Sequence, residues 1–490
     1  VTFDLSQLAL TAPLNIILAG GVLLLLLEAF AGGRNRGYLL GITLGIIAAA
    51  LSFEVLAWPE AADASSRSVF SGMLRVDRLS IFADCTFLVG AALSALLAPA
   101  YMRERRFEFG EFYSLLLFGT GGMMILGAAT DFVTVFLGVE TMSIAVYVLT
   151  GAWRRNPRSS EGAMKYFLAG AFASGILMYG IALTYGAVGS TSLDVIAREA
   201  PRVAGQPLFI IGMLLILVGF AFKIAAVPFH MWAPDAYEGA PTPVTAFMAA
   251  GVKAAAFVTL LRIFGGAYAR PELAFGASGW AQVLAIIAVI TMTVGNLAAL
   301  KQDNIKRLLA YSSIAHAGYL LIGVAALAFV GNEARGPMLY YLLAYTFTTV
   351  GSFGVVAWLG SRKDERLSLD DWAGLGSRHP AMALAMTIFL LSLGGVPPTA
   401  GFFGKFYVFR AALGKHGLEP YVVIAVLNSV VSFAYYLRVV TAMYFREVGK
   451  EPQPTQSRTM QAAILICVLA VLGFGILPDW LSTIAAATAG

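Results

Sequence analysis

Glu140 stands nine residues into an apolar run, Asp131-Phe-Val-Thr-Val-Phe-Leu-Gly-Val-Glu140-Thr-Met-Ser. Lys223 closes the apolar stretch that begins at Leu208, five residues ahead of Pro228, and Lys253 stands halfway along another in Ala249-Ala-Gly-Val-Lys253-Ala-Ala-Ala. Lys405 follows Leu393-Gly-Gly-Val-Pro397-Pro398-Thr-Ala-Gly401-Phe-Phe-Gly404. A charge at the centre of a bilayer costs at least about 2.5–3.5 kcal/mol on the lenient insertion scale, so each needs a reason. The chemistry these residue types offer at such depth is proton exchange. A carboxyl there is neutral or ionised according to its neighbours, and a desolvated amine is a reversible proton carrier. His316, in Ala310-Tyr-Ser-Ser-Ile-Ala-His316, is an imidazole in an apolar run, and His230 follows Pro228. Lys165, four residues after Glu161, shares its helix face and points either outward as a surface pair or inward as a gate to Glu140.

Blander readings compete with each. A protonated Glu140 serves as interhelical glue, Lys223 snorkels to a nearby interface, Lys405 belongs to a peripheral Pro/Gly loop, and His316 is a satisfied structural histidine. Lys253 has the least room for such an escape, because its stem starts from mid-segment.

The elements that must hold these residues are membrane helices. Apolar windows of about 20 residues, the length that crosses a hydrocarbon core of roughly 30 Å, fall near 11–30, 37–57, 78–98, 111–129, 131–151, 164–186, 208–228, 243–262, 280–300, 308–329, 338–359, 382–412, 421–444 and 460–480. Fourteen segments leave no long soluble insertion, so function sits in the membrane or its short loops. The seventh is interrupted at Pro228, whose missing N–H breaks the helix ladder, and the twelfth at Pro397 and Pro398. Discontinuous helices inside a protein-lined cavity are where transporters place ion sites. The two interruptions lie five segments apart, each beside a lysine. Units of five helices, 4–8 and 9–13, would contain them, and an odd unit length forces consecutive units to enter from opposite sides. The expected fold is an all-α polytopic membrane protein with two inverted five-helix repeats. The expected divisions are residues 1–110 (helices 1–3), 111–265 and 279–446 (the repeats) and 447–490 (helix 14).

Composition agrees. Of 490 residues, 59% are apolar and 12% charged, against roughly 25% charged in soluble domains. Thirty-three basic and 28 acidic residues give a net +5, which is no nucleic-acid footprint. Cys85 and Cys467 lie far apart in apolar segments and resemble no disulfide scaffold, zinc site or iron–sulfur ligand set. There is no Walker loop, no dinucleotide fingerprint and no bis-histidine haem pair, so no cofactor is expected and the driving force must come from an ion gradient or a partner. Arg34 and Arg36 follow the first apolar segment, the reverse of a signal-peptide pattern, so it reads as a retained helix. The loops after odd-numbered segments hold 18 basic residues, from Arg34 and Arg36 through Lys301, Lys306, Arg362, Lys363 and Lys450. The opposite loops hold 8, from Arg67 to Lys415. The positive-inside rule puts the first set in the cytoplasm and both termini outside.

With these features in place, the sequence resembles the proton-translocating antiporter-like membrane subunits of respiratory complex I, and among them the bacterial N type. The carrying stretches are Phe132–Glu140, Glu161–Phe167, Phe222–Pro243, Asn304–His316 and Pro397–Lys405. The resemblance implies a bacterial inner-membrane location, other complex I membrane subunits and lipid as partners, protons as the transported species, and no redox centre in this chain. It implies that Glu140 is the fifth-helix glutamate, Lys223 the lysine it modulates, Lys253 the central relay and Lys405 the lysine near the exit. A lysine on helix twelve, and an end soon after helix fourteen, favour the N type. A subunit of a multisubunit cation/proton antiporter and a non-transporting scaffold are the alternatives.

Overall fold

The computed structural model describes residues 5–30, 37–62, 67–107, 109–275, 279–360, 365–414, 417–447 and 454–489. Arg34, Arg36, Arg362, Lys363, Lys415 and Lys450 of the charge tally lie outside the described residues. One small antiparallel hairpin, β1 (Ser68–Val69) with β2 (Leu74–Arg75), interrupts an otherwise helical chain.

The principal helices are α1 (Ala12–Phe30), α2 (Gly37–Ala57), α3 (Arg78–Glu104), α4 (Glu111–Ala128), α5 (Phe132–Thr150) and α6 (Pro157–Val188), then the broken pair α7a (Pro207–Lys223) and α7b (Trp232–Gly239). They continue with α8 (Thr242–Ala267), α9 (Trp280–Leu300), α10 (Ile305–Val330), α11 (Arg335–Leu359), the broken pair α12a (Pro380–Gly394) and α12b (Ala400–Ala412), α13 (Glu419–Phe445) and α14 (Arg458–Ile476). Among the described residues, eleven helical stretches are long and apolar enough to cross a membrane. One of these, Ile305–Leu359, joins α10 to α11 through a short turn, while α7a and α12a are shorter apolar helices of 17 and 15 residues.

Most boundaries fall within a few residues of the apolar windows. The largest difference is α6, which begins at Pro157 and not near 164. Asn156 caps it, Pro157 occupies the first turn where its missing N–H costs nothing, and the turns carrying Arg158, Glu161 and Lys165 are helical although polar. An apolar window is blind to such turns. Inside α8 a π-turn, Met248–Val252, immediately precedes Lys253. One extra residue in a turn re-aims the side chains that follow, and no periodicity marks it in an all-apolar run.

Close packing relies on small residues. A Cβ on Gly122 would lie 2.4 Å from the Met142 nitrogen, which is why α4 and α5 can touch along their backbones; Gly318 lies equally tight, 2.6 Å from the Met292 nitrogen, between α10 and α9. α4 packs on α5 and α9 on α10 in this way, while α6 packs on α7a and α11 on both halves of the second broken helix, α12a and α12b.

Candidate functional site

Lys223 ends α7a because the ladder stops there. Ala226 N–H turns back to the Ala221 carbonyl, Val227 N–H donates to Thr291 Oγ1, and Trp232 Nε1 donates to the Phe222 carbonyl, which also accepts from Ala225 N–H. The ammonium is buried and donates to Ser143 Oγ at 2.8 Å and Tyr147 OH at 3.2 Å, both on α5. Glu140 lies one turn before Ser143 on the same helix, half-buried, and accepts from Ser174 Oγ of α6 at 2.5 Å. No ion pair within 4 Å joins Glu140 to Lys223 among the described residues; the Ser143 and Tyr147 hydroxyls occupy the Lys223 amine.

Tyr147 starts an aromatic wall. Its ring meets Tyr166 edge-on at 4.6 Å, Tyr166 stacks on Trp232 at 4.0 Å, and Trp232 meets Tyr237 at 6.4 Å. The Tyr237 ring lies beside Ser313 of α10. Ser313 is also the partner of Lys253, which donates to its carbonyl at 2.5 Å and to its hydroxyl, while Tyr345 OH donates to the same Oγ at 2.7 Å. One turn on, His316 pairs through Nδ1 with Tyr341 OH at 2.6 Å and through Nε2 with Tyr436 OH at 3.3 Å, and Tyr436 pairs with Ser312 at 2.5 Å. Tyr319 lies 5.6 Å from His316 on one side and 4.9 Å from Lys405 Nζ on the other.

Lys405 occupies the second break. Gly395 turns the chain with φ +89°, Gly401 N–H donates to Ser392 Oγ, and the amine caps the free end of α12a by donating to the Leu393 and Gly394 carbonyls at 2.8 and 2.9 Å. A third bond reaches Ser429 Oγ of α13 at 2.8 Å. A cation at the carbonyl end of a helix is favoured by the helix dipole.

Lys253, His316 and Lys405 are thus linked by hydrogen bonds and ring contacts through Tyr345 and Tyr319, and the aromatic wall from Tyr147 to Tyr237 extends from Lys223 toward them. Lys165 and His230 stand apart. Lys165 is half-exposed and paired with Glu161 at 2.6 Å and Asp235 at 2.7 Å, and it makes no contact with Glu140. Asp235 also binds Arg307 at 2.7 Å, Arg307 binds Glu238 at 3.0 Å, and Glu238 binds Arg158 at 3.2 Å, so Lys165 ends an ion-pair network joining α6, α7b and α10. His230 is half-buried in the turn after α7a, hydrogen-bonded to none of the buried lysines.

Sequence reasoning missed one buried lysine. Lys306, counted above as a loop charge, is fully buried in the first turn of α10 and binds Glu365 at 3.1 Å and the Ala240 carbonyl at 2.7 Å. Glu365 also accepts from Tyr101 and Thr242. Burial works against the Glu365 carboxylate, but Lys306 and Arg105 nearby and these hydroxyl donors hold its pKa below the ordinary glutamate value. The pair spans 59 residues of sequence, and no local pattern announces it.

Two classes of buried lysine result. Lys306 faces a carboxylate, which fixes it as an ammonium. Lys223, Lys253 and Lys405 are hydrogen-bonded to hydroxyls and carbonyls and to no carboxylate. A hydroxyl accepts from an ammonium and donates to a neutral amine, so it can follow either protonation state.

Residues 129–432 match the sequence profile described as NADH:quinone oxidoreductase/Mrp antiporter, TM. The chain is 47% identical over 485 residues to NADH-quinone oxidoreductase subunit N 1 of Sorangium cellulosum (strain So ce56), covering 95% of each. The chain belongs to the N-subunit family of NADH:quinone oxidoreductase. A chain in the structure of respiratory complex I from Thermus thermophilus with bound aureothin is 34% identical, with a TM-score of 0.80 over 97% of this chain and 99% of that one. A chain of the Mrp complex from Dietzia sp. DQ12-45-1b shares the fold, with 20% identity and a TM-score of 0.85 over 99% and 97% of the two chains. The protein is therefore an antiporter-like, multi-spanning membrane subunit whose apolar helices include two broken ones.

Proposed function

We propose that the chain moves protons across a bacterial inner membrane within an NADH:quinone oxidoreductase, through the row Glu140, Lys223, Lys253, His316 and Lys405. The observation that carries this is the neutral surroundings of the three buried lysines, in contrast to the carboxylate-bound Lys306. A lysine locked to an acid is structural. One held by hydroxyls can lose its proton and keep its hydrogen bonds. Adding or removing a charge at one position then changes the electrostatic free energy of the next, an interaction far stronger in a low-dielectric interior than in water. Protonation of Glu140 would weaken its hold on the Lys223 ammonium, the Lys223 proton would pass toward Lys253, and Lys405 would release it near the second break. Lys165 and His230 are assigned accessory roles at the end of α7a and α7b where the ion-pair network lies.

The architecture supporting the row is read as fourteen spans with inverted repeats over helices 4–8 and 9–13. The support is a repeated hydrogen-bond pattern. At the start of α5, Phe132 N–H donates to Thr191 O and Leu193 N–H to Thr130 O; at the start of α10, Ile305 N–H donates to Leu367 O and Leu369 N–H to Asp303 O. Asp131 and Asn304 cap the two helices. The first clasp joins loops on the hairpin side, the second joins loops on the Lys306–Glu365 side, which fits the same motif inverted. Exposed apolar side chains on α5 (Leu137, Ile144, Val148) and α13 (Leu427, Val430) fit lipid and neighbouring membrane subunits of a larger assembly, among them other antiporter-like subunits.

The test is Lys253→Ala in membranes, with assembly followed by native gel and pumping and quinone reduction measured together. Loss of both activities in an assembled complex is expected. Unchanged pumping would remove Lys253 from the path. Flavin-containing hydrophilic subunits in the purified native assembly are expected, and their absence would favour a cation/proton antiporter.

A further inference from the structure

We propose that Glu54 and Asp84 form an acid pair holding one exchangeable proton, a second protonatable site outside the lysine row, facing the end of the molecule that carries the β1–β2 hairpin. Glu54 lies in the last turn of α2 and Asp84 two turns into α3. Glu54 is 3% exposed although Phe53, Val55 and Leu56 around it are open to the surroundings, so the acid alone turns inward. The two carboxyl groups line the same small cavity. Two buried carboxylates facing one space repel each other, which favours a single negative charge and one proton shared between them.

The surrounding charges do not substitute for that proton. Arg262 of α8 is the nearest cation, and its guanidinium is occupied: Nη1 and Nη2 bind Asp77 at 2.8 Å each, while Nε and Nη2 bind the Gly127 carbonyl at 3.0 and 2.8 Å. Asp77 balances Arg262, Arg335 lies beyond them against Asp77, and Cys85 adds only a thiol beside the pair. Neither Glu54 nor Asp84 has an ion-pair partner among the described residues.

The second observation is an unpartnered atom. Asp84 Oδ1 is buried without any hydrogen-bond partner, in a side chain 7% exposed. Both acids line a cavity of about 20 Å³ with Thr11, Ser80, Met124 and Ala128, and with Leu74 and Val76 on the hairpin side. That volume holds about one water. The step is an acid–base exchange: a hydronium in the cavity gives its proton to the free carboxylate oxygen, leaving water and a fully protonated pair, and the reverse step restores the single negative charge. Only O–H bonds form and break.

The experiment is infrared difference spectroscopy of the purified assembled complex, between acid and neutral pH in H2O and D2O, on the native chain, Glu54→Gln, Asp84→Asn and the double variant. A deuterium-sensitive carboxylic acid C=O band in the native protein, lost in the single and double variants, is expected. Glu54→Asp serves where an amide variant does not assemble, and it must shift the band. A native spectrum without the band, or a band unchanged in the variants, overturns the proposal. So does a band abolished by sodium at fixed pH, which would make the pair a metal-cation site. The readout is independent of pumping, so its failure leaves the lysine row untouched, and failure of Lys253→Ala leaves this pair untouched.

Discussion

Glu365→Gln removes one charge from the only lysine of the four buried ones that a carboxylate holds, and keeps the side chain's shape. At 3.1 Å the Lys306–Glu365 attraction is about 5 kcal/mol with an effective dielectric constant near 20. Part of that offsets desolvation, and breaking one half of such a buried pair typically costs about 3–5 kcal/mol because the other charge is left uncompensated. Glu365 ties the segment before α12a to α3 through Tyr101, to α8 through Thr242 and to α10 through Lys306. The cost should therefore appear as local opening of that segment. At about 1.4 kcal/mol per tenfold, opening becomes roughly 150- to 4,000-fold more frequent. The assay is tryptic cleavage after Arg366 in native vesicles, which tracks the open population while closing is fast. The double variant Lys306→Met with Glu365→Gln should return to within about tenfold of the native rate, since a neutral pair of similar volume is tolerated. The pH dependence follows from the lowered Glu365 pKa. Its stabilising contribution is complete above the ordinary glutamate value of about 4.3, and is lost as pH falls through the lower folded-state value. Protection should be flat from about pH 5 to 8 and weaken below about 4, read with an acid-active protease. Native-rate cleavage of Glu365→Gln at neutral pH would refute the clamp.

Three further outcomes follow from the lysine row. Lys405→Glu should pump no better than Lys405→Ala, because an ionised carboxylate cannot donate to the Leu393 and Gly394 carbonyls and meets the negative end of α12a; recovered pumping would show that any titratable group suffices. Ser313→Asp should leave the complex assembled and stop pumping, by giving Lys253 the kind of partner that Lys306 has; pumping at the native rate would sink the distinction between the two classes. Tyr237→Phe should slow pumping while leaving the complex assembled, and an unaltered rate would remove the hydroxyl from the path between Lys223 and Lys253.

How much of this was legible depends on range. Helix positions and the buried lysines at 223, 253 and 405 were readable because run length and desolvation cost are local properties of the sequence. The two breaks were readable for the same reason, since Pro228 and Pro397–Pro398 act on their own turns. The start of α6 was not, because polar turns and apolar turns are equally helical when Asn156 and Pro157 open them. The π-turn before Lys253 was hidden in a run where every neighbour is apolar. Nothing in the sequence singles out Tyr166, Tyr237, Tyr341 and Tyr436, and only folding reveals that they stand between the lysines. Lys165 was ambiguous between a surface pair and an inward gate, and Asp235, 70 residues away, decides where its amine goes.

Aligning the two proposed repeats from their capped helices would explain why the proposed row is asymmetric. Glu140 follows the Asp131 cap by nine residues and Ser313 follows the Asn304 cap by nine. The first unit thus places an acid where the second places a hydroxyl. The acid lies one turn from the Ser143 that binds Lys223 of its own unit, while Ser313 binds Lys253, which belongs to the other. A second carboxylate at position 313 would make Lys253 an ion pair and end its ability to give up a proton. A serine there leaves the central lysine between two hydroxyl-rich neighbourhoods, with Tyr237 on one side and Tyr345 and His316 on the other. In the proposed row, charge would enter at one end, at half-buried Glu140, and each later position would respond to its neighbour without a fixed counter-ion of its own. On that proposal the electrostatic signal would run from the α5 end toward Lys405, a direction that a row with an acid in both units would lack.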